Sequence, residues 1–134
     1  MIINHTAAII VTGGAPSNTA GTSVEVLHSD GSPWCSLPDL PEYRLKHTQT
    51  GLEACGGCCK SAYSTCVRLE AGSWTQSHQL VEKKRLHHSS WASPAGTLLM
   101  GGAKPSWKSG KATELLDETT GDFAASFPLK YKTQ

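Results

Sequence analysis

Short apolar runs that stop at paired glycines set the pattern of this chain. Ala7-Ala8-Ile9-Ile10-Val11 leads to Gly13-Gly14, Leu52-Glu53-Ala54-Cys55 to Gly56-Gly57, and Thr97-Leu98-Leu99-Met100 to Gly101-Gly102. The pairs recur roughly every 44 residues, which marks a repeat rather than three unrelated turns. After each pair and a polar loop comes a second apolar segment: Val24-Glu25-Val26-Leu27, Cys66-Val67-Arg68-Leu69 and Thr113-Glu114-Leu115-Leu116. A glycine and an aromatic follow in turn, as Gly31-Ser32-Pro33-Trp34, Gly72-Ser73-Trp74 and Gly121-Asp122-Phe123. No run has helical period and all are bounded by turn residues, so each repeat predicts four short β-strands. Glycine pairs at strand ends permit positive φ and close backbone approach. The aromatics Trp34, Trp74 and Phe123 are sized to fill the space between neighbouring sheets.

The connections between units carry Arg44-x-x-His47 and Arg85-x-x-His88. This order of glycine pair, second strand, Gly-x-aromatic and Arg-x-x-His resembles the kelch repeat, whose four-stranded units are the blades of a β-propeller. The second and third copies, with Leu80 ahead of Arg85-x-x-His88-Ser89-Ser90-Trp91, are most similar to kelch-type repeats of secreted or receptor-like animal proteins. The resemblance implies an all-β chain of about three four-stranded antiparallel kelch-like blades, with units near 1–43, 44–84 and 85–134. Propellers close with about 4 to 8 blades, so this is an incomplete propeller. The expectation is a fragment of a longer propeller protein, or else self-association that closes the ring. A β-sandwich is the alternative, but it gives no reason for the repeated register.

Composition narrows the partners. A formal net charge of +1 with 17% charged residues gives no global attraction to nucleic acid. No apolar run reaches the roughly 18 residues of a membrane span. Met1 to Val11 lacks a basic leader region and runs into a repeat strand, so it is not read as a signal peptide.

Five cysteines in 134 residues point toward an oxidising compartment. Cys55 and Cys66 occupy equivalent places on either side of a glycine-pair loop, where opposed residues have Cα atoms about 4.5 to 5.5 Å apart. That overlaps the span a disulfide accepts, and a Cys55–Cys66 bridge is expected, with two buried free thiols as the alternative. An extracellular or secreted location follows, a cytoplasmic adaptor being the alternative. Asn4-His5-Thr6 would be a glycosylation sequon in that setting. Cys55-Gly-Gly-Cys58, with Cys59 and Cys66 nearby, invites a zinc reading. No second Cys-x-x-Cys exists and the repeat already explains the glycines, so neither metal nor cofactor is expected. Cys35, Cys58 and Cys59 stay unassigned.

His47 and His88 are placed by the repeat and read as structural hydrogen-bonding groups. His87 beside Ser89 suggests a nucleophile and base, but no acid or nucleophile elbow accompanies them. The loops supply more. In a four-stranded antiparallel unit the 2–3 loops and the links between units share one end, which gathers Arg44, Lys46, Lys60, Lys83, Lys84, Arg85, Lys104, Lys108 and Lys111 against Asp39, Glu42 and Glu82. The other end receives Asp30, Glu70, Asp117, Glu118 and Asp122. Such polarity would draw an acidic partner despite near-zero net charge. Trp107, among the lysines, is the candidate anchor, with Lys83, Lys84, Arg85, Lys104, Lys108 and Lys111 as the binding set. The expected function is therefore a non-catalytic protein- or glycan-binding module. The alternative is a fragment of a galactose-oxidase-like propeller enzyme, which would need copper and a tyrosine from Tyr43, Tyr63 or Tyr131.

Overall fold

The fold is that of a computed structural model, which describes residues 7–14, 20–58, 63–80, 86–94, 96–103, 112–117 and 120–126. Three antiparallel sheets follow one another along the chain. Sheet I contains β1 (Ala8–Thr12), β2 (Val24–His28) and β3 (Cys35–Leu37) in that order. Sheet II contains β4 (Thr48–Thr50), β5 (Glu53–Cys55), β6 (Thr65–Glu70) and β7 (Ser73–Gln79). Sheet III contains β8 (Ser89–Ser93), β9 (Gly96–Met100), β10 (Thr113–Asp117) and β11 (Asp122–Ala125). A single 3-10 turn at Ala20–Thr22 is the helical exception among the described residues. The fold is thus all-β, with the strand order of simple consecutive hairpins. Sheet I has three strands among the described residues; residues 1–6, His5 and Thr6 included, lie outside them.

Alternation along each strand decides what the sheets bury. On β5, Ala54 points toward sheet I and joins Val24, Leu40 and Val67 in one apolar cluster, with Ile10, Leu37 and Trp74 packed against it. Its neighbour Cys55 points the other way, into a second cluster with Cys66, Leu80, Leu99, Leu116 and Phe123. Sheet II is therefore covered on both faces. Among the described residues, sheets I and III are each covered on one. Their outer faces leave Ile9 61%, Val11 48% and Trp91 57% exposed.

Trp74 and Phe123 each insert toward the preceding sheet. The Trp74 indole donates to Pro38 O at 2.7 Å across the I/II seam, and Phe123 meets the His78 ring edge-on at 5.9 Å across the II/III seam. Trp34, the equivalent residue of sheet I, is instead 49% exposed. No described sheet precedes it, so the same orientation leaves it facing solvent.

The glycine pairs work by close approach. A Cβ on Gly57 would come within 2.7 Å of Leu45 O and 2.8 Å of His47 Cβ, and one on Gly102 within 2.7 Å of Leu86 O. Both have positive φ, 86° and 91°, which adds strain to any side chain there. The incoming connection thus runs directly against the loop that leaves the second strand.

Candidate functional site

Two groups of hydrogen-bonded polar side chains emerge, one at the end of the sheets where the connections gather and one inside the II/III seam. At the first, the connection through Arg44 is pinned from several sides. Arg44 is fully buried, with one guanidinium nitrogen donating to Gly56 O at 2.8 Å and Thr65 O at 2.9 Å. The other donates to Thr65 Oγ1 at 2.8 Å and to Glu42 at 3.0 Å. Its guanidinium lies over the Tyr63 ring, 4.6 Å from the centroid. Counted by sequence among the exposed basic charges, Arg44 is in fact withdrawn from solvent, because the carbonyls of the glycine-pair loop need a donor.

Backbone bridges extend this bracing. Leu45 pairs with Cys58 and Leu86 with Ala103 in isolated antiparallel bridges, and His87 N donates to Lys46 O at 3.0 Å. His47 and His88 then reach sideways to neighbouring sheets. His47 Nε2 lies 2.8 Å from Thr12 Oγ1, whose hydroxyl donates to Gln49 Oε1 at 2.7 Å. That hydroxyl has one proton, so His47 Nε2 is the donor and Nδ1 carries no hydrogen in the neutral ring. Burial, reinforced by the Arg44 charge, pushes the His47 pKa down to about 4. His88 Nε2 lies 2.8 Å from Thr48 Oγ1, and Thr50 Oγ1 donates to Ser90 Oγ at 3.0 Å, so β4 and β8 are stitched by side chains at adjoining edges. His87 and His88 face different surroundings, one exposed and one buried, as adjacent residues do.

Lys83, Lys84, Arg85, Lys104, Trp107, Lys108 and Lys111 all lie outside the described residues, together with Lys60, Glu82, Glu118, Cys59 and Tyr131. At the opposite end, Asp30, Glu70, Asp117 and Asp122 are exposed at or beside the tight turns between consecutive strands. Asp30 is held below the usual carboxylate pKa by hydrogen bonds from the Ser32 hydroxyl and backbone N–H. Two tyrosines of the enzyme alternative have structural contacts: Tyr63 beneath Arg44, and Tyr43 so close to Gly21 that a Cβ there would overlap its ring.

The second group surrounds Glu53 and was not singled out from the sequence. Glu53 is buried on β5, on the same face as Cys55. Its Oε1 accepts from Ser77 Oγ and His78 Nδ1, each at 2.5 Å, and its Oε2 accepts from Arg68 at 2.8 Å. Ser77 and His78 are consecutive, and on a regular strand they would point to opposite faces. A register shift in the β6–β7 pairing, from Cys66↔His78 to Val67↔Gln76, leaves Ser77 as the extra residue. This bulge lets both side chains reach one carboxylate. Burial would raise the Glu53 pKa, but the bonds from Ser77, Arg68 and His78 outweigh it and hold the group below its ordinary value. Beside it, the expected disulfide joins Cys55 and Cys66, which are register partners on β5 and β6 with Cα atoms 4.1 Å apart. Cys35 and Cys58 are free thiols. The signal for Glu53 was present in the sequence as a carboxylate inside an apolar strand, two residues from a paired cysteine.

No helix among the described residues is long and apolar enough to cross a membrane. No family model matches the sequence, and no curated protein matches it. Among solved structures, the chain is similar to YjhT, with a TM-score of 0.80 at 12% identity over 92% of this chain and 49% of YjhT. The chain spans about half the length of that protein, and at this identity the likeness is one of fold alone.

Proposed function

We propose that the three sheets are kelch-like blades of a β-propeller that serves as a non-catalytic binding module, presenting the loops of its basic end to an acidic protein or glycan in an extracellular setting. The observation that carries this reading is the bracing of one end. The unit-to-unit links and the glycine-pair loops are tied to each other by Arg44, by the Leu45–Cys58 and Leu86–Ala103 bridges and by the His87–Lys46 backbone bond. Fixed loop bases suit recognition, because the chain at the foot of the binding surface then needs no ordering when a partner binds. The repeated insertion of Trp74 and Phe123 toward the preceding sheet supports the blade arrangement. The Cys55–Cys66 disulfide supports the oxidising location. Acidic residues at the opposite turns complete the polarity that would orient such a partner.

Heparin, a sulfated polyanion, is the probe. The wild-type chain is expected to bind it with an affinity that falls steeply with salt, and the combined Lys83→Glu, Lys84→Glu, Lys104→Glu, Lys108→Glu variant is expected to lose at least tenfold. Equal binding by the two proteins would reject the basic end as the recognition surface.

A further inference from the structure

We infer that the II/III seam holds a redox-gated site for a divalent, thiophilic metal ion, formed by Cys55, Cys66 and Glu53 once the disulfide is reduced. The donor atoms of these three buried residues all lie within 4.8 Å of one another. A zinc ion bound at about 2.3 Å to sulfur and about 2.0 to 2.2 Å to a carboxylate oxygen needs the two sulfurs to separate once their bond is broken and the carboxylate oxygen to lie close to both. Freed thiols can rotate about their side-chain bonds to meet it. The cross-strand register fixes the two sulfurs, and alternation along β5 fixes Glu53 beside them on the same face.

The chemistry balances. A dithiol reductant supplies two electrons and two protons, the Sγ–Sγ bond breaks to give two thiols, and the dithiol becomes its own disulfide. The metal ion then displaces both thiol protons to solvent. Two thiolates and the Glu53 carboxylate carry three negative charges, the ion two positive and the adjacent, partly exposed Arg68 one positive, so the charges of the group sum to zero. Ser77, His78 and Arg68 already orient the carboxylate, and a carboxylate has about four acceptor positions, which leaves room for a metal bond. His78 is the outer-shell partner that holds Glu53 in place. Arg68 is itself partly exposed and marks the route of entry from solvent. The fourth coordination position belongs to water, as is usual where a protein supplies three ligands.

Cobalt(II) tests the site, because thiolate coordination gives a charge-transfer band in the near ultraviolet. Cys35→Ser, Cys58→Ser and Cys59→Ser together remove the other thiols. In this background, the phosphine-reduced protein is expected to bind one cobalt per chain with the thiolate band, and the oxidised protein none. Cys66→Ser should abolish the band, and Glu53→Gln should weaken cobalt binding at least tenfold while keeping it. Zinc should displace cobalt and raise the melting temperature of the reduced protein but not of the oxidised one. A reduced chain that binds no cobalt, folded or unfolded, overturns the proposal. So does a band that survives Cys66→Ser, and an unchanged affinity in Glu53→Gln overturns the three-donor assignment.

Discussion

The two seams between sheets occupy equivalent places in the repeat yet are closed by different chemistry. Between sheets I and II the buried apolar cluster is aliphatic, with Val24, Leu40, Ala54 and Val67 under Trp74, and the polar groups that secure the seam, Arg44 and the Thr12–His47 pair, sit at its end. Between sheets II and III, Leu80, Leu99, Leu116 and Phe123 share the space with a disulfide, the buried Glu53 and the buried Glu114, which is the register partner of Leu99. The repeat fixes where strands run and which face turns inward. It does not fix what fills the seam, and that freedom lets one interface bury an aliphatic cluster with its ionisable groups, Arg44 and His47, at the end, while the other holds a carboxylate and a redox-active cysteine pair inside its core.

Removing the cation at the end of the first seam should have the largest effect. Arg44→Met keeps much of the apolar stem but leaves the Gly56 carbonyl without its side-chain donor, the Thr65 carbonyl with only the Gly56 N–H, and Thr65 Oγ1 and the Tyr63 ring without the guanidinium, at about 1–3 kcal/mol for each buried acceptor left unpaired. A total loss of roughly 3 kcal/mol or more is expected in urea unfolding. A midpoint within experimental error of wild type would mean that the glycine-pair loop holds itself.

The disulfide comes next and acts on the other seam. Cys55→Ala with Cys66→Ala opens a closed loop of eleven-residue sequence separation, for which a loss of about 2–4 kcal/mol is expected. Hydrogen exchange should report the change at β9 and β10 across the II/III seam and leave β1 and β2 protected as before. Uniform loss of protection would show that the seams unfold as one unit.

These first two tests touch features of unequal legibility. The alternating strands, the glycine pairs and the Cys55–Cys66 pairing were readable because each follows from local rules: strand period, positive φ and cross-strand distance. The burial of Arg44 was not, since a sequence places an arginine near a loop without saying which carbonyls lack donors. The Glu53 cluster was hidden for a different reason. It depends on a bulge that brings Ser77 and His78 to one face, and a single inserted residue leaves no mark on the hydrophobic pattern. Trp34 shows the converse, a residue whose role was read from its siblings but whose neighbouring surface is absent from the described residues.

A pH titration separates the seams without altering the core. His47, which bridges sheets I and II, titrates at about 4 when folded against an ordinary value of 6.5. A depressed folded pKa means the unfolded chain binds the proton first, so stability is full above pH 6.5 and declines as pH falls toward 4. Glu53, whose pKa is lowered from 4.5, adds its loss only in more acid solution. Thermal melts at pH 7 and pH 5 should therefore differ in the wild type. His47→Gln, whose amide can donate to Thr12 and does not titrate, should narrow that difference. An equal drop in both proteins would assign the pH dependence to another group.

The smallest effect on the isolated chain is expected at Trp34, and it bears on what the uncovered faces are for. Half-exposed and without a described sheet on its outer side, Trp34 replaced by alanine should change stability by no more than about 0.5 kcal/mol. Its sibling Trp74 is inserted in a seam, so near-neutrality at position 34 would reflect the missing neighbour rather than the residue type. Light scattering gives the decisive contrast. If two copies of the 14.3 kDa chain associate through the faces bearing Ile9, Trp34 and Trp91, the wild type will show twice that mass, and Trp34→Ala will return it to one copy. If the wild type is monomeric and the substitution silent, a second copy does not cover that face, and any sheet that packs on Trp34 must be of another kind.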